Sequence, residues 1–125
     1  MSAAALFAKP TLLHNPKCTK SRAAKALLDE RKVAYEERRY LERPLSAAEL
    51  AELRRRLDRP ARESLRAGED AFKAAGLSKD AGDKEILAAM AKHPILIERP
   101  ILILAKRAVL GRPTENIEVL LDETD

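Results

Sequence analysis

The sequence predicts one α/β domain with a four-stranded mixed sheet, and three observations support this prediction. The N-terminal part has the pattern strand, helix, strand, which is a βαβ unit with two parallel strands. A block without strand signal follows, from about residue 44 to 92. Two short apolar strands and a final helix complete the chain. A length of 125 residues fits a single domain, 1–125, with one modest core.

The βαβ unit begins with a short apolar run, Thr11 to His14, which predicts the first strand. Asn15-Pro16 ends this strand, because proline fixes φ and has no N–H to donate to a ladder. An alanine- and leucine-rich run from Thr19 to Arg31 predicts a helix. Alternating apolar and polar positions from Lys32 to Tyr40 then predict the second strand.

The block between the strands is predicted to be helical. Ser46 and Glu49 form a capping box, a hydroxyl at the N-cap followed three residues later by a carboxylate, so a helix should run from there to about Leu57. The segment from Pro60 to Gly76 predicts one or two short helices. Another helix begins at Gly82-Asp83 and continues to Lys92.

The last part of the chain predicts a hairpin and a helix. Ile101 to Leu104 and Arg107 to Leu110 read as strands, and the two residues between them favour antiparallel pairing. Gly111-Arg112-Pro113 ends the hairpin, and Thr114 to Leu121 predicts the last helix. The order βαβ, helical block, ββα is that of a thioredoxin-like fold carrying a helical insertion at about 44–92.

Composition excludes several classes of protein. One cysteine excludes an intramolecular disulfide and a cysteine-only zinc site, and two histidines far apart argue against a metal centre. The first nine residues are too short and too weakly apolar for a signal peptide or a membrane span. We therefore expect a cytoplasmic protein with no membrane association, and a domain of this size is expected to be a monomer.

The net charge of +4 would suit an anionic partner, either a small oxyanion or a nucleic acid. One helix is rich in arginine, but acidic residues are interspersed, and aromatic residues that could stack on bases make up only 3% of the chain. This pattern favours a solvated helix face, with no nucleic-acid partner. The arginines concerned are Arg54, Arg55, Arg56, Arg59 and Arg62.

Cys18 lies where the first strand turns into the first helix. A sulfur at that position faces unpaired N–H groups and the positive end of the helix dipole, which lowers the pKa of a thiol. Lys17, Lys20 and Arg22 are nearby cations in the sequence, and His14 is a titratable neighbour. The alternative is that Cys18 is a small buried hydrophobic residue.

Five motifs in order resemble those of the glutaredoxin-coupled arsenate reductase family, from about Leu12 to Leu121. They are His14-Asn15-Pro16-x-Cys18-x-x-Ser21-Arg22, Tyr40-Leu41-Glu42-x-Pro44, Arg62-x-x-Leu65-Arg66, His93-Pro94-Ile95-Leu96-Ile97-x-Arg99-Pro100 and Gly111-Arg112-Pro113.

The resemblance implies a role for six residues. Cys18 would be the nucleophile, assisted by His14 and Ser21, and the oxyanion would be bound by Arg66, Arg99 and Arg112. It also implies a cis bond at Arg99-Pro100. The substrate would be arsenate or a similar oxyanion, with glutathione as co-substrate, glutaredoxin as partner and no bound cofactor. Taken singly, Arg66 could be a solvated side chain, and Arg99 and Arg112 could simply cap strand ends.

Two other functions suit the same fold. Spx-type regulators bind RNA polymerase, but their sensing form uses Cys-x-x-Cys, and here Ser21 stands in the second position. The other is a thiol redox protein that acts on a different substrate. It is favoured by Thr19-Lys20, which departs from the Gly-Thr pair of the better-established arsenate reductases and makes the signature similar to a Cys-x-Lys-Ser-Arg sister group. An assay of arsenite formation and an assay of RNA polymerase binding would distinguish these functions.

Overall fold

The computed structural model describes residues 6–66, 68, 70–78 and 80–123, without the side chain of Ala71. Short 3₁₀ turns lie at Ala61–Ser64 and Pro94–Leu96. The helices and strands of the described part are, in chain order, β1 Thr11–Leu13, α1 Thr19–Glu30, β2 Glu36–Arg38, α2 Ala47–Leu57, α3 Asp70–Ala74, α4 Asp83–Lys92, β3 Ile101–Ile103, β4 Ala108–Leu110 and α5 Glu115–Glu123.

The strands form one mixed sheet in the order β2-β1-β3-β4. β1 runs parallel to β2 and antiparallel to β3, with Leu12 opposite Glu37 on one side and Leu102 on the other. β3 and β4 pair as the antiparallel hairpin that the sequence predicts. The second strand is shorter than the predicted Lys32 to Tyr40, because it is an edge strand that pairs with β1 alone.

Alternation along the strands separates two apolar clusters, one on each face of the sheet. On one face, Leu13, Ile101 and Ile103 pack with residues of α2 and α4. On the other, Leu12 and Leu102 pack with residues of α1 and α5. Both faces are therefore covered by helices. Among the helices of the described residues, none is long and apolar enough to cross a membrane.

The predicted capping box at the start of α2 is confirmed. The Ser46 hydroxyl accepts from the Glu49 N–H at 3.1 Å, and the Glu49 carboxylate accepts from the Ser46 N–H at 2.9 Å. The same carboxylate takes two hydrogen bonds from Arg38, at 3.0 and 3.2 Å. This pairing attaches the helical block to β2.

One of the arginines predicted to lie on a solvated face is buried. The side chain of Arg56 is 2% exposed, and its Nε donates to Glu52 at 2.5 Å. Its other nitrogens donate to the backbone carbonyls of Leu6, Phe7 and Leu104. The prediction was wrong for Arg56 because the three carbonyls that accept from it lie 48 to 50 residues away along the chain. The arginine joins α2 to the segment before β1 and to the end of β3.

Replacing Arg56 by Ala is expected to lower the free energy of unfolding by about 3 kcal/mol, because Glu52 and three carbonyls lose a buried donor. Arg55→Ala is the matched control, since Arg55 binds the same carboxylate but its side chain is 61% exposed. The control should lose much less stability than Arg56→Ala, because solvent screens the ion pair that Arg55 makes with Glu52. Urea denaturation gives both values, and equal losses would contradict the structural role of Arg56.

Candidate active site

Cys18 is the N-cap residue of α1, and its side chain is partly buried. The turn before it is held by two hydrogen bonds to Asn15: the Lys17 N–H donates to its side-chain oxygen and the Cys18 N–H to its carbonyl, both at 3.0 Å. The sulfur therefore stands at the beginning of the helix, as the sequence predicts, and is not enclosed in the core.

The pKa of the Cys18 thiol lies below its ordinary value. Burial acts to raise this pKa, and the backbone N–H of Ser21, the Arg99 guanidinium and the backbone N–H of Lys20 outweigh it. The charged side chain among these causes is Arg99, which is distant from Cys18 along the chain. Lys20 acts through its amide, and the Arg22 side chain donates to the Pro16 carbonyl at 2.8 Å.

Two arginines from the C-terminal half of the chain face the sulfur. Nη2 of Arg112 lies 3.7 Å from Cys18 Sγ, and its Nε donates to the Arg99 carbonyl at 2.7 Å. Arg99 lowers the pKa of the thiol both by its charge and by hydrogen bonding. The Arg99-Pro100 bond is cis, as expected, and Arg112-Pro113 is cis as well, which was not expected.

Gly111 explains how the two arginines come together. The Gly111 N–H donates to the Pro100 carbonyl at 2.8 Å. A Cβ at Gly111 would lie 3.0 Å from the Pro100 ring and 2.8 Å from the Ile117 side chain. A side chain at Gly111 would press on Pro100 and Ile117, which would have to shift, so the glycine eases the close approach that carries Arg112 to the side of Arg99.

The third predicted arginine, Arg66, joins the cluster through a residue that the sequence analysis missed. Oε1 of Glu98 lies 3.4 Å from Arg99 Nη1, 3.6 Å from Arg66 Nε and 3.8 Å from Arg112 Nε. Glu98 occupies the one unassigned position in the motif that ends at Arg99-Pro100. A carboxylate immediately before an arginine that is predicted to bind an oxyanion was the signal that could have identified it.

His14 and Ser21 support the turn. Ser21 Oγ is 2.7 Å from His14 Nδ1 and accepts from the Asn15 N–H at 3.0 Å, and both side chains are buried. Burial is the main cause that lowers the pKa of His14, with Lys25 and other cations adding to it against Glu37. The Ser21 hydroxyl is thus engaged with the turn, whereas its backbone N–H stabilises the thiolate.

Tyr40 is a second residue for which the sequence suggested no role. Its ring is buried, and burial raises the pKa of its hydroxyl to about 12 even though Arg99 and Arg66 act against the rise. The charge of Cys18 also acts on this hydroxyl. Tyr40 is therefore uncharged at neutral pH and lies close enough to Arg99, Arg66 and Cys18 for their charges to act on its hydroxyl.

The described residues contain no group of three or more His, Cys, Asp or Glu side chains that could hold a metal ion. The donors that surround Cys18 are guanidinium and backbone N–H groups, which suit an anion. The site therefore combines a sulfur whose pKa is lowered with cationic groups that would suit a small oxyanion.

Comparisons with known proteins show what the whole chain is similar to. The model of the ArsC family matches residues 13–120. An arsenate reductase of Neisseria meningitidis is 43% identical over 112 residues, which cover 88% of this chain and 96% of that protein. A solved structure of the arsenate reductase from Vibrio cholerae has a TM-score of 0.82 at 38% identity, covering 88% of this chain and 95% of that one.

A more distant relative bears on one alternative. The global transcriptional regulator Spx of Listeria innocua is 30% identical over 112 residues, which cover 89% of this chain and 86% of that protein. The similarity to arsenate reductases is higher. The four-stranded mixed sheet and its structural neighbours confirm the thioredoxin-like fold. The chain belongs to the ArsC family.

Proposed function

We propose that this protein reduces arsenate to arsenite, with Cys18 as nucleophile and glutathione and glutaredoxin as external thiols. The observation that carries the proposal is the position of the Arg112 guanidinium, 3.7 Å from Cys18 Sγ, with Arg99 acting on the same sulfur. Cations there stabilise a thiolate and attract an oxyanion at once. The names of the relatives support arsenate as that oxyanion.

The first step is the attack of the thiolate on arsenate, and its main obstacle is the repulsion between two negatively charged groups. The arginines reduce this repulsion. The thiolate attacks arsenic, a sulfur–arsenic bond forms, and one arsenic oxygen leaves as water after taking protons from solution. Planar guanidinium groups stay charged and donate paired hydrogen bonds to oxyanions, so they can balance the charge that builds up.

Reduction of arsenic(V) to arsenic(III) needs two electrons, which two thiols supply on forming a disulfide. The chain has one cysteine, so the second thiol must come from outside. Glutathione attacks Cys18 Sγ, a disulfide forms, and the electron pair of the sulfur–arsenic bond stays on arsenic as arsenite leaves. Glutaredoxin then attacks the mixed disulfide and releases Cys18 as a thiol.

The test is arsenite formation from arsenate by the purified protein, with glutathione and glutaredoxin present together and with each omitted in turn. We expect turnover only when both are present, and a single round at most with glutathione alone. Arsenite formation without any added thiol would contradict the mechanism. Absence of arsenite, with glutaredoxin-dependent reduction of a glutathione mixed disulfide, would favour the thiol redox protein with another substrate.

A further inference from the structure

Glu98 places a negative charge inside the arginine cluster. One oxygen of its carboxylate lies between 3.4 and 3.8 Å from nitrogens of Arg66, Arg99 and Arg112. That is the kind of position which an oxygen of a bound oxyanion would take. The Glu98 side chain is only 23% exposed, so its charge is screened less by solvent than a surface charge would be.

The backbone holds Glu98 in this position. Its N–H donates to the Ser64 carbonyl at 2.8 Å, and the Arg66 N–H donates to the Leu96 carbonyl at 2.8 Å. Between these hydrogen bonds, Leu65 and Ile97 form an isolated antiparallel bridge. The segment that carries Glu98 is therefore paired with the segment that carries Arg66, and the carboxylate cannot easily leave the arginines.

The charges in the site compete with one another. Three guanidinium groups face one carboxylate in addition to the Cys18 sulfur, so part of the positive charge is compensated before any substrate binds. A bound anion is repelled by the Glu98 carboxylate in proportion to the anion's own charge. A dianion therefore loses about twice as much binding free energy as a monoanion of the same shape.

We propose that Glu98 is a specificity-determining residue, which lowers the preference of the arginine cluster for doubly charged oxyanions over singly charged ones. This inference rests on the proposed function in that it concerns the same oxyanion site. It goes further in assigning to Glu98 the choice among anions by their charge. A carboxylate that only held the arginines in place would have the opposite effect, since its loss would weaken the binding of every anion.

The test measures anion binding without arsenate or glutathione. Sulfate and methanesulfonate are tetrahedral sulfur oxyanions of charge −2 and −1, and each should protect Cys18 from alkylation by iodoacetamide at fixed pH and ionic strength. In E98Q we expect the half-protecting concentration to fall about tenfold for sulfate and about threefold for methanesulfonate, relative to wild type. Glu98→Asp keeps the charge and should keep the wild-type ratio between the two anions.

Glu118→Gln is the matched control, because it removes the same charge from an exposed position on α5. It should change neither concentration. Equal changes for both anions in E98Q, or weaker binding, would overturn the proposal.

Glu98→Ala is a second variant that removes the same charge, and the ratio of the two half-protecting concentrations should change in it as in E98Q. An unchanged ratio in Glu98→Ala would also overturn the proposal. Since no reduction takes place in these experiments, their outcome is independent of whether the protein reduces arsenate.

Discussion

Replacement of Cys18 by Ser is expected to lower arsenite formation by at least about a thousandfold, to the level of the reaction without protein. A serine hydroxyl is almost wholly protonated at neutral pH, so the nucleophile is lost. Oxygen also cannot form the disulfide that carries the two electrons away from arsenic. The measurement is arsenite released from arsenate in the presence of glutathione and glutaredoxin.

The Cys18→Ser protein should keep the wild-type fold, so a loss of activity can be attributed to the loss of the sulfur. Cys18 is the N-cap residue of α1 and is partly exposed, and serine is among the preferred residues at an N-cap. The melting temperature of Cys18→Ser should therefore equal or exceed that of wild type. Arsenite formation by a folded Cys18→Ser protein at more than about a tenth of the wild-type rate would exclude a covalent role for the sulfur.

Replacement of Arg99 by Ala is expected to lower kcat/KM for arsenate by about a hundredfold to a thousandfold. Arg99 acts on the thiol and also contacts Glu98. Its loss should therefore raise the pKa of Cys18. In wild type the lowered pKa keeps the thiolate present down to a lower pH, so the pH profile of Cys18 alkylation should move to higher pH in Arg99→Ala.

Two further variants test whether the effect is specific to the guanidinium group of Arg99. Arg99→Lys keeps a positive charge without the planar fork, and it should recover part of the pKa shift but less of the activity. Lys20→Ala removes a cation close to Cys18 in sequence while keeping the amide that faces the sulfur. It should change the activity by less than about threefold. A larger loss of activity in Lys20→Ala than in Arg99→Ala would indicate that cations close to Cys18 in the sequence, and not Arg99, make the thiol reactive.

Much of the fold could be predicted because its signals act over a few residues. The capping box of Ser46 and Glu49 marked the start of α2, and Asn15-Pro16 marked the end of β1. The edge strand β2 was the least well placed, since its length depends on pairing with β1, which lies in another part of the chain. The position of Cys18 at the start of α1 followed from the same local signals.

The site was predicted in part, from the resemblance to a known family and not from the periodicity or charge pattern of the sequence. The three arginines came from motif positions, and the structure brings all three to Glu98. Glu98 itself was not predicted, because its one signal was its position directly before Arg99, and 35% of the residues in this chain are charged. His14 and Ser21 lie beside each other on the two sides of the turn before α1, and the Ser21 hydroxyl accepts from the backbone of Asn15 in that turn.

The order of the elements and the position of Cys18 at a helix N-terminus can be derived from the amino-acid sequence, since periodicity, caps and prolines act on neighbouring residues. Which cations reach the sulfur, why Arg56 is buried and where the charge of Glu98 lies depend on the folded structure. Each of these depends on contacts between residues far apart in the chain. Such contacts arise only when the sheet and its helices have packed, because charge and hydrogen bonding act over a few ångströms in space.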